Sequence, residues 1–470
     1  MIETTTPRTE PSLWVTIRES LAGSHHGSYT DGSIDRAIVL LAIPMVLELV
    51  LESVFAVVDV FFVSRLGPDA IATVGLTEAM MTLIYAVAMG LGMGATAIVS
   101  RRMGEKDPDG AARAAVQAIA IGLFVAIPLG LLGFSFARPI LALMGASPDV
   151  LAHSSFTATL IGFNGVILML FLINAVFRGA GDAAIAMRVL WIANAINIVL
   201  DPCLIFGLGP FPRLGVTGAA VATTTGRGIG VLVQLYFLSR SDGRIVIRRR
   251  HLRLDPKVML NMLRLSGSAV FQMLIGTTSY IGVMRIIASF GSVSVAACTI
   301  VIRIIIFVLM PSWGLSNAAA TLVGQNLGAK QPDRAEASAW RATWYNVAVL
   351  GVIAVLFVTF ADVVVGWFTT DPAIVPLATV GLRIVSGGFP FYAAGYVLTA
   401  SFNGAGDTLT PTLINMGCFW MFEIPLAYVL GRSLGYGTAG VFWAMALSFS
   451  LMSLVSAWLF RRGTWKLKRV

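Results

Sequence analysis

The chain has 470 residues, 57% of them hydrophobic and only 12% charged, with a mean hydropathy of +0.83, which excludes an ordinary soluble globular protein. A net charge of +9 would suggest a nucleic-acid partner in a soluble chain, but here the basic residues gather in loops between long apolar runs. That pattern belongs to a membrane protein facing anionic lipid, and no nucleic acid is expected.

Residues 1–36 are polar, rich in acids and prolines and without an apolar core, so they read as a cytosolic tail with a short amphipathic piece around Trp14. Twelve runs able to cross a bilayer follow, at 38–64, 74–100, 112–135, 151–177, 186–208, 216–239, 264–290, 295–324, 341–368, 373–402, 409–431 and 437–460. The expected fold class is therefore all-α, a polytopic membrane protein with twelve transmembrane helices. Most of the Lys and Arg fall in the two tails and the loops after even-numbered runs, against Arg65, Arg138, Arg213 and Arg432 on the other side. Both termini are accordingly expected in the cytoplasm.

The first run, Ile38 to Leu66, carries Glu48, Glu52 and Asp59. At about 100° per residue these three fall within roughly 40° of each other on one helical face. Acids at bilayer depth persist where they face protein or a watery cavity, so this stripe reads as the wall of an ion or substrate pathway.

The two halves repeat. A shift of 224 lays Gly67 on Gly291, Gly90 on Gly314, Gly104 on Gly328 and Lys106 on Lys330, and a shift of 225 lays FRGAGD at 177–182 over FNGAGD at 402–407. Six spans per copy give both copies the same polarity. The division is an N-lobe at 37–240, a basic linker at 241–262, a C-lobe at 263–460 and a basic tail at 461–470, with the lobes facing each other across a central cavity. The Gly/Ala-rich ends of the second and eighth spans read as tight helix packing, and the GAGD turns as Gly bends with Asp capping the next helix. Cys203, Cys298 and Cys418 lie in or beside spans as small packing residues, and no disulfide framework is expected.

Several of these segments together resemble the multidrug and toxic compound extrusion (MATE) family. They are Pro44 to Asp59, the glycine run from Gly90 to Asp107, RGAGD, NIVLDPCLIFG followed by LGVTGAAVAT, and FNGAGDT with FEIPLAYVLG in the second half. The resemblance covers nearly the whole chain. It implies two V-shaped six-helix lobes in a bacterial inner membrane and alternating access. It also implies export of lipophilic or cationic organic compounds by antiport with H⁺ or Na⁺, with no other cofactor and a single chain sufficient. The family's N-lobe ion site is similar to Asp59, Asn197, Asp201 and Thr223 here. Asn197 and Asp201 stand one helical turn apart, and two carboxylates with an amide and a hydroxyl offer hard oxygen ligands to Na⁺. Crowded and desolvated, the same carboxylates could carry a proton instead. The blander role for Asp201 is a helix-end cap before Pro202. The acidic stripe is absent from the second half, where Gln272 and Tyr392 occupy positions that are acidic in other branches of the family, which favours an N-lobe site as in the DinF-like branch.

Glu48 and Glu52 go beyond the family motif. One of them is expected to pair with a span arginine, drawn from Arg227, Arg285, Arg303 and Arg383. Glu78 and Arg303 are a candidate gate pair between the lobes. Glu423, beside Pro425, is a candidate substrate contact or the structural partner of an arginine. With Gln272, Tyr392 and Tyr396 it forms a candidate substrate cavity, since aromatic faces with nearby acids suit flat organic cations.

Three other classes compete with export. A flippase of lipid-linked or amphipathic lipids would share the architecture and line its cavity with basic groups. An enzyme is disfavoured because His25, His26, His153 and His251 form no ligand set within the spans and no G-x-x-x-x-G-K-[ST] sequence is present. A channel fits poorly with duplicated lobes and one-sided acids.

Overall fold

The structure is a computed structural model and describes residues 12–23, 27–240 and 243–468. His25, His26 and the start of the linker at 241–242 lie outside the described residues. The helix α1 (Leu13–Ala22) occupies the expected amphipathic piece, with Trp14 exposed and Ser20 buried. Ser20 Oγ donates to the Leu40 carbonyl, which ties α1 to the first span.

The N-lobe comprises α2 (Ile34–Ser64), α3 (Pro68–Gly104), α4 (Pro108–Leu143), the short α5 (Pro148–Ala152), α6 (Ser154–Gly162), α7 (Asn164–Ala180), α8 (Ala183–Phe206) and α9 (Val216–Ser239). The C-lobe repeats the plan with α10 (Pro256–Ala288), α11 (Ser292–Gly328), α12 (Pro332–Thr359), the short α13 (Ala361–Gly366), α14 (Ile374–Gly387), α15 (Phe389–Gly404), α16 (Leu409–Asn415), α17 (Ile424–Tyr428) and α18 (Gly437–Arg461). Among the described residues ten helices are long and apolar enough to cross a membrane, and two bent pairs, each taken as one span, bring the total to twelve. The fourth and tenth spans, expected as single helices, break by 41° between α6 and α7 and by 51° between α14 and α15. At the first break Asn164 donates to the Ile161 carbonyl at the end of α6 and to the Ala126 carbonyl of the neighbouring α4, and at the second Pro390 follows Gly387 and Gly388. The eleventh span runs from α16 through π-helical turns at Met416–Glu423 and Val429–Ser433, on either side of Pro425.

Duplication is visible in the backbone. Lys106 and Lys330, which the shift of 224 superimposes, are the two non-glycine residues with positive φ among the described residues, at 58° and 60°. Between the lobes α3 packs on α10 and α11 on α2, and the contacts are mirrored: Gly90 lies against the backbone of Val270, and Gly314 against that of Val46.

The lobes converge at the end that carries the basic loops and both tails. Buried residues crowd the first half of α2 and the last halves of α3 and α11. There α3 and α11 cross so closely that a Cβ on Gly104 would overlap the Gln325 carbonyl, and one on Gly328 the Arg101 carbonyl. Tight packing is thus the role of these glycine runs. Residues 27–36 add a strap: Tyr29 Oη donates to the Gly181 carbonyl in the N-lobe, while Arg341 of α12 pairs with Asp35 at 3.2 Å. The C-terminal segment docks on the same face, with Trp465 buried against Phe460 and the Arg101 guanidinium donating to the Lys468 carbonyl.

Candidate functional site

The N-lobe assembles the four residues expected to hold an ion. Asp59 on α2 and Asp201 on α8 lie within hydrogen-bonding reach of each other. One turn before Asp201, Asn197 donates through Nδ2 to Thr223 Oγ1 on α9 at 3.0 Å. Asp201 is fully buried and Asn197 is 2% exposed. Both Asp201 oxygens, Asp59 Oδ1 and Asn197 Oδ1 are buried without a hydrogen-bond partner among the described residues. Acceptors facing acceptors in a buried site are costly unless a proton or cation bridges them. The spacing predicted for Asn197 and Asp201 therefore reaches the expected side of α8, and a capping role for Asp201 is absent because its carboxylate bonds no backbone N–H. Among the described residues no three His, Cys, Asp or Glu side chains cluster as a metal site. A cation here meets two carboxylates and neutral oxygens, a donor set suited to a small hard ion.

Both other acids of the α2 stripe are ion-paired. Glu52 accepts from Arg227 Nη2 at 2.7 Å and from Asn194 Nδ2 at 3.1 Å. Glu48, 2% exposed, accepts from Arg178 Nη1 at 2.6 Å and Asn174 Nδ2 at 3.0 Å. They are a polar spine inside the N-lobe rather than bare cavity acids. Of the four span arginines only Arg227 joins this spine; Arg383 lies 3.8 Å from Asp362, and Arg285 and Arg303 are exposed. Arg178 was missed because RGAGD reads as a turn, yet Asn174 and Arg178 are four apart on one face of α7, a spacing that could have flagged it. Asp182 of that motif makes no cap either; it pairs with Arg244 of the linker at 3.3 Å.

The Glu78–Arg303 latch is not closed. Both residues are exposed, and although the Arg303 charge acts on Glu78, no ion pair joins them, because α3 and α11 touch at their other ends. The proposed substrate cavity also needs correction. Glu423 and Gln272 are buried at 5% and 4% exposure, and Tyr392 is buried and stacked on Phe449 at 3.9 Å. Tyr396 is half-buried beside Trp313. These residues belong to the interior of the C-lobe and not to an open wall. The partner of Glu423 is Ser279 Oγ, which donates at 2.9 Å, and not an arginine.

The family model described as MatE matches residues 44–203 and 268–429, one match in each lobe. The chain belongs to this family of membrane transporters. It is 27% identical to the probable multidrug resistance protein YoeA of Bacillus subtilis (strain 168), across 93% of this chain and 96% of that protein. It is 25% identical to the multidrug export protein MepA of Staphylococcus aureus (strain N315), covering 90% and 92%. It is likewise 25% identical to an FAD transporter of Shewanella oneidensis, covering 91% and 95%. The fold matches an outward-facing multidrug resistance MATE transporter of the MOP superfamily, with a TM-score of 0.87 at 24% identity over 96% of this chain and 98% of that one.

Proposed function

We propose that this MATE-family transporter exports lipophilic organic cations by antiport, driven by H⁺ or Na⁺ entering the Asp59–Asp201 site. The observation that supports this reading is the set of orphaned buried oxygens on Asp201, Asp59 and Asn197, with Thr223 completing the group. Without a positive charge the site is a buried cluster of acceptors; with one it is satisfied. Loading and unloading therefore change the stability of the N-lobe, which is what couples an ion to alternating access. With the basic loops in the cytoplasm, the glycine crossing of α3 and α11 seals the cytoplasmic side and leaves the lobes apart on the other. Exposed Arg285 and Arg303 favour the alternative, a lipid flippase, for the C-lobe.

The test is uptake of a fluorescent lipophilic cation into proteoliposomes, with pH and Na⁺ gradients imposed separately, for wild type and Asp59→Asn. One gradient drives uptake, and the variant loses it. Wild type that ignores both gradients while moving a labelled lipid overturns antiport in favour of the flippase.

A further inference from the structure

Arg227 is 2% exposed, yet only Nη2 is used, on Glu52; Nε and Nη1 are buried without a partner among the described residues. Its guanidinium lies over the Phe55 and Phe171 rings, each 5.4 Å away. Phe55 falls between Glu52 and Asp59 on the same face of α2, so one of the rings that the guanidinium faces lies between the two acids. They are seven residues apart, about 10 Å along the helix. The charges of Arg227 and Asp59 act on one another, and Asp59 Oδ1 has no donor. The remaining ionisable groups around this gap are Asp201 on α8 and Glu78 and Tyr85 on α3. Two unused guanidinium donors thus stand within charge range of an unsatisfied carboxylate, against two aromatic rings whose faces attract the cation without directional bonds.

We propose that Arg227 is the internal counter-cation of the coupling site. It is parked on Glu52 while the Asp59–Asp201 pair holds the transported ion, and it moves onto Asp59 when that ion leaves. The emptied site is then never left as a bare pair of buried carboxylates, and the incoming ion must displace the guanidinium. This rests on the coupling reading given above. The Glu52–Arg227 pair, shown by the structure, is the loaded arrangement.

The experiment measures the coupling-ion concentration that gives half-maximal gradient-driven uptake in proteoliposomes. Wild type, Asp59→Asn, Glu52→Gln, Arg227→Gln and the double variant Glu52→Gln/Arg227→Gln are compared. Glu52→Gln removes the parking place and raises the half-saturating concentration at least threefold. Arg227→Gln removes the competitor and lowers it. The double variant decides the matter, because it restores the net charge of the wild-type pair and leaves neither Glu52 nor Arg227 as a buried charge without its partner, even if Arg227→Gln alone misfolds. Competition predicts a half-saturating concentration at least threefold below wild type. A double variant that matches wild type makes Arg227 a static structural partner and overturns the proposal. Wild type without ion dependence, or dependence that survives Asp59→Asn, defeats the coupling reading and this proposal with it. Dependence that needs Asp59 but is unmoved in the double variant defeats the proposal alone.

Discussion

Gly104→Ala should open the basic face of the transporter. Gly104 ends α3 where it passes under the Gln325 carbonyl of α11, and an added Cβ would overlap backbone atoms rather than a side chain that could turn aside. Overpacking of this kind costs about 1–3 kcal/mol, and it falls only on the state in which the lobes are sealed there. Once they part, the methyl group is free, and alanine favours the α3 helix over glycine by up to about 1 kcal/mol, so folding is not endangered. The sealed-to-open ratio should therefore fall by about 5- to 150-fold. The assay replaces Cys203, Cys298 and Cys418, introduces cysteine at Ser100, which is buried in the seam against Gly324, and follows labelling by a membrane-impermeant maleimide from the basic side. Gly328→Ala, related by the internal repeat, should raise the labelling rate as Gly104→Ala does. A labelling rate unchanged in both variants would refute the idea that this crossing is the seal.

Two substitutions of buried acids in the N-lobe should have opposite consequences. Glu48→Gln strands Arg178 beside a neutral amide, and breaking such a pair costs about 3–5 kcal/mol, which should appear as a clear drop in melting temperature in detergent. Asp201→Asn removes a carboxylate with no donor, so the melting temperature should hold or rise while gradient-driven uptake disappears; a fall comparable to that of Glu48→Gln would show that Asp201 has a structural partner instead.

Most of the architecture was legible in the chain. The twelve spans and the duplication could be read because apolar length and a constant offset are properties of sequence alone, and the structure carries the repeat down to the paired φ values of Lys106 and Lys330. The face shared by Glu48, Glu52 and Asp59 was equally plain, since residues four apart on a helix point the same way in any fold. Asn197, Asp201 and Thr223 were found by resemblance, and the one-turn spacing of Asn197 and Asp201 supported that pair.

What the sequence could not supply was the partner of each group. Helical spacing fixes direction around one axis, but the depth and rotation at which two helices meet are settled by packing across the whole lobe. Tertiary structure thus chose Arg178 for Glu48 and Ser279 for Glu423, left Glu78 and Arg303 apart, and bent the fourth and tenth spans where Asn164 and Pro390 could absorb the break. By itself the sequence determined that acids would face inward on α2. Only the fold decided that Glu48 and Glu52 would be neutralised by arginine, while Asp59 would keep a buried oxygen without a donor near Asp201 of α8.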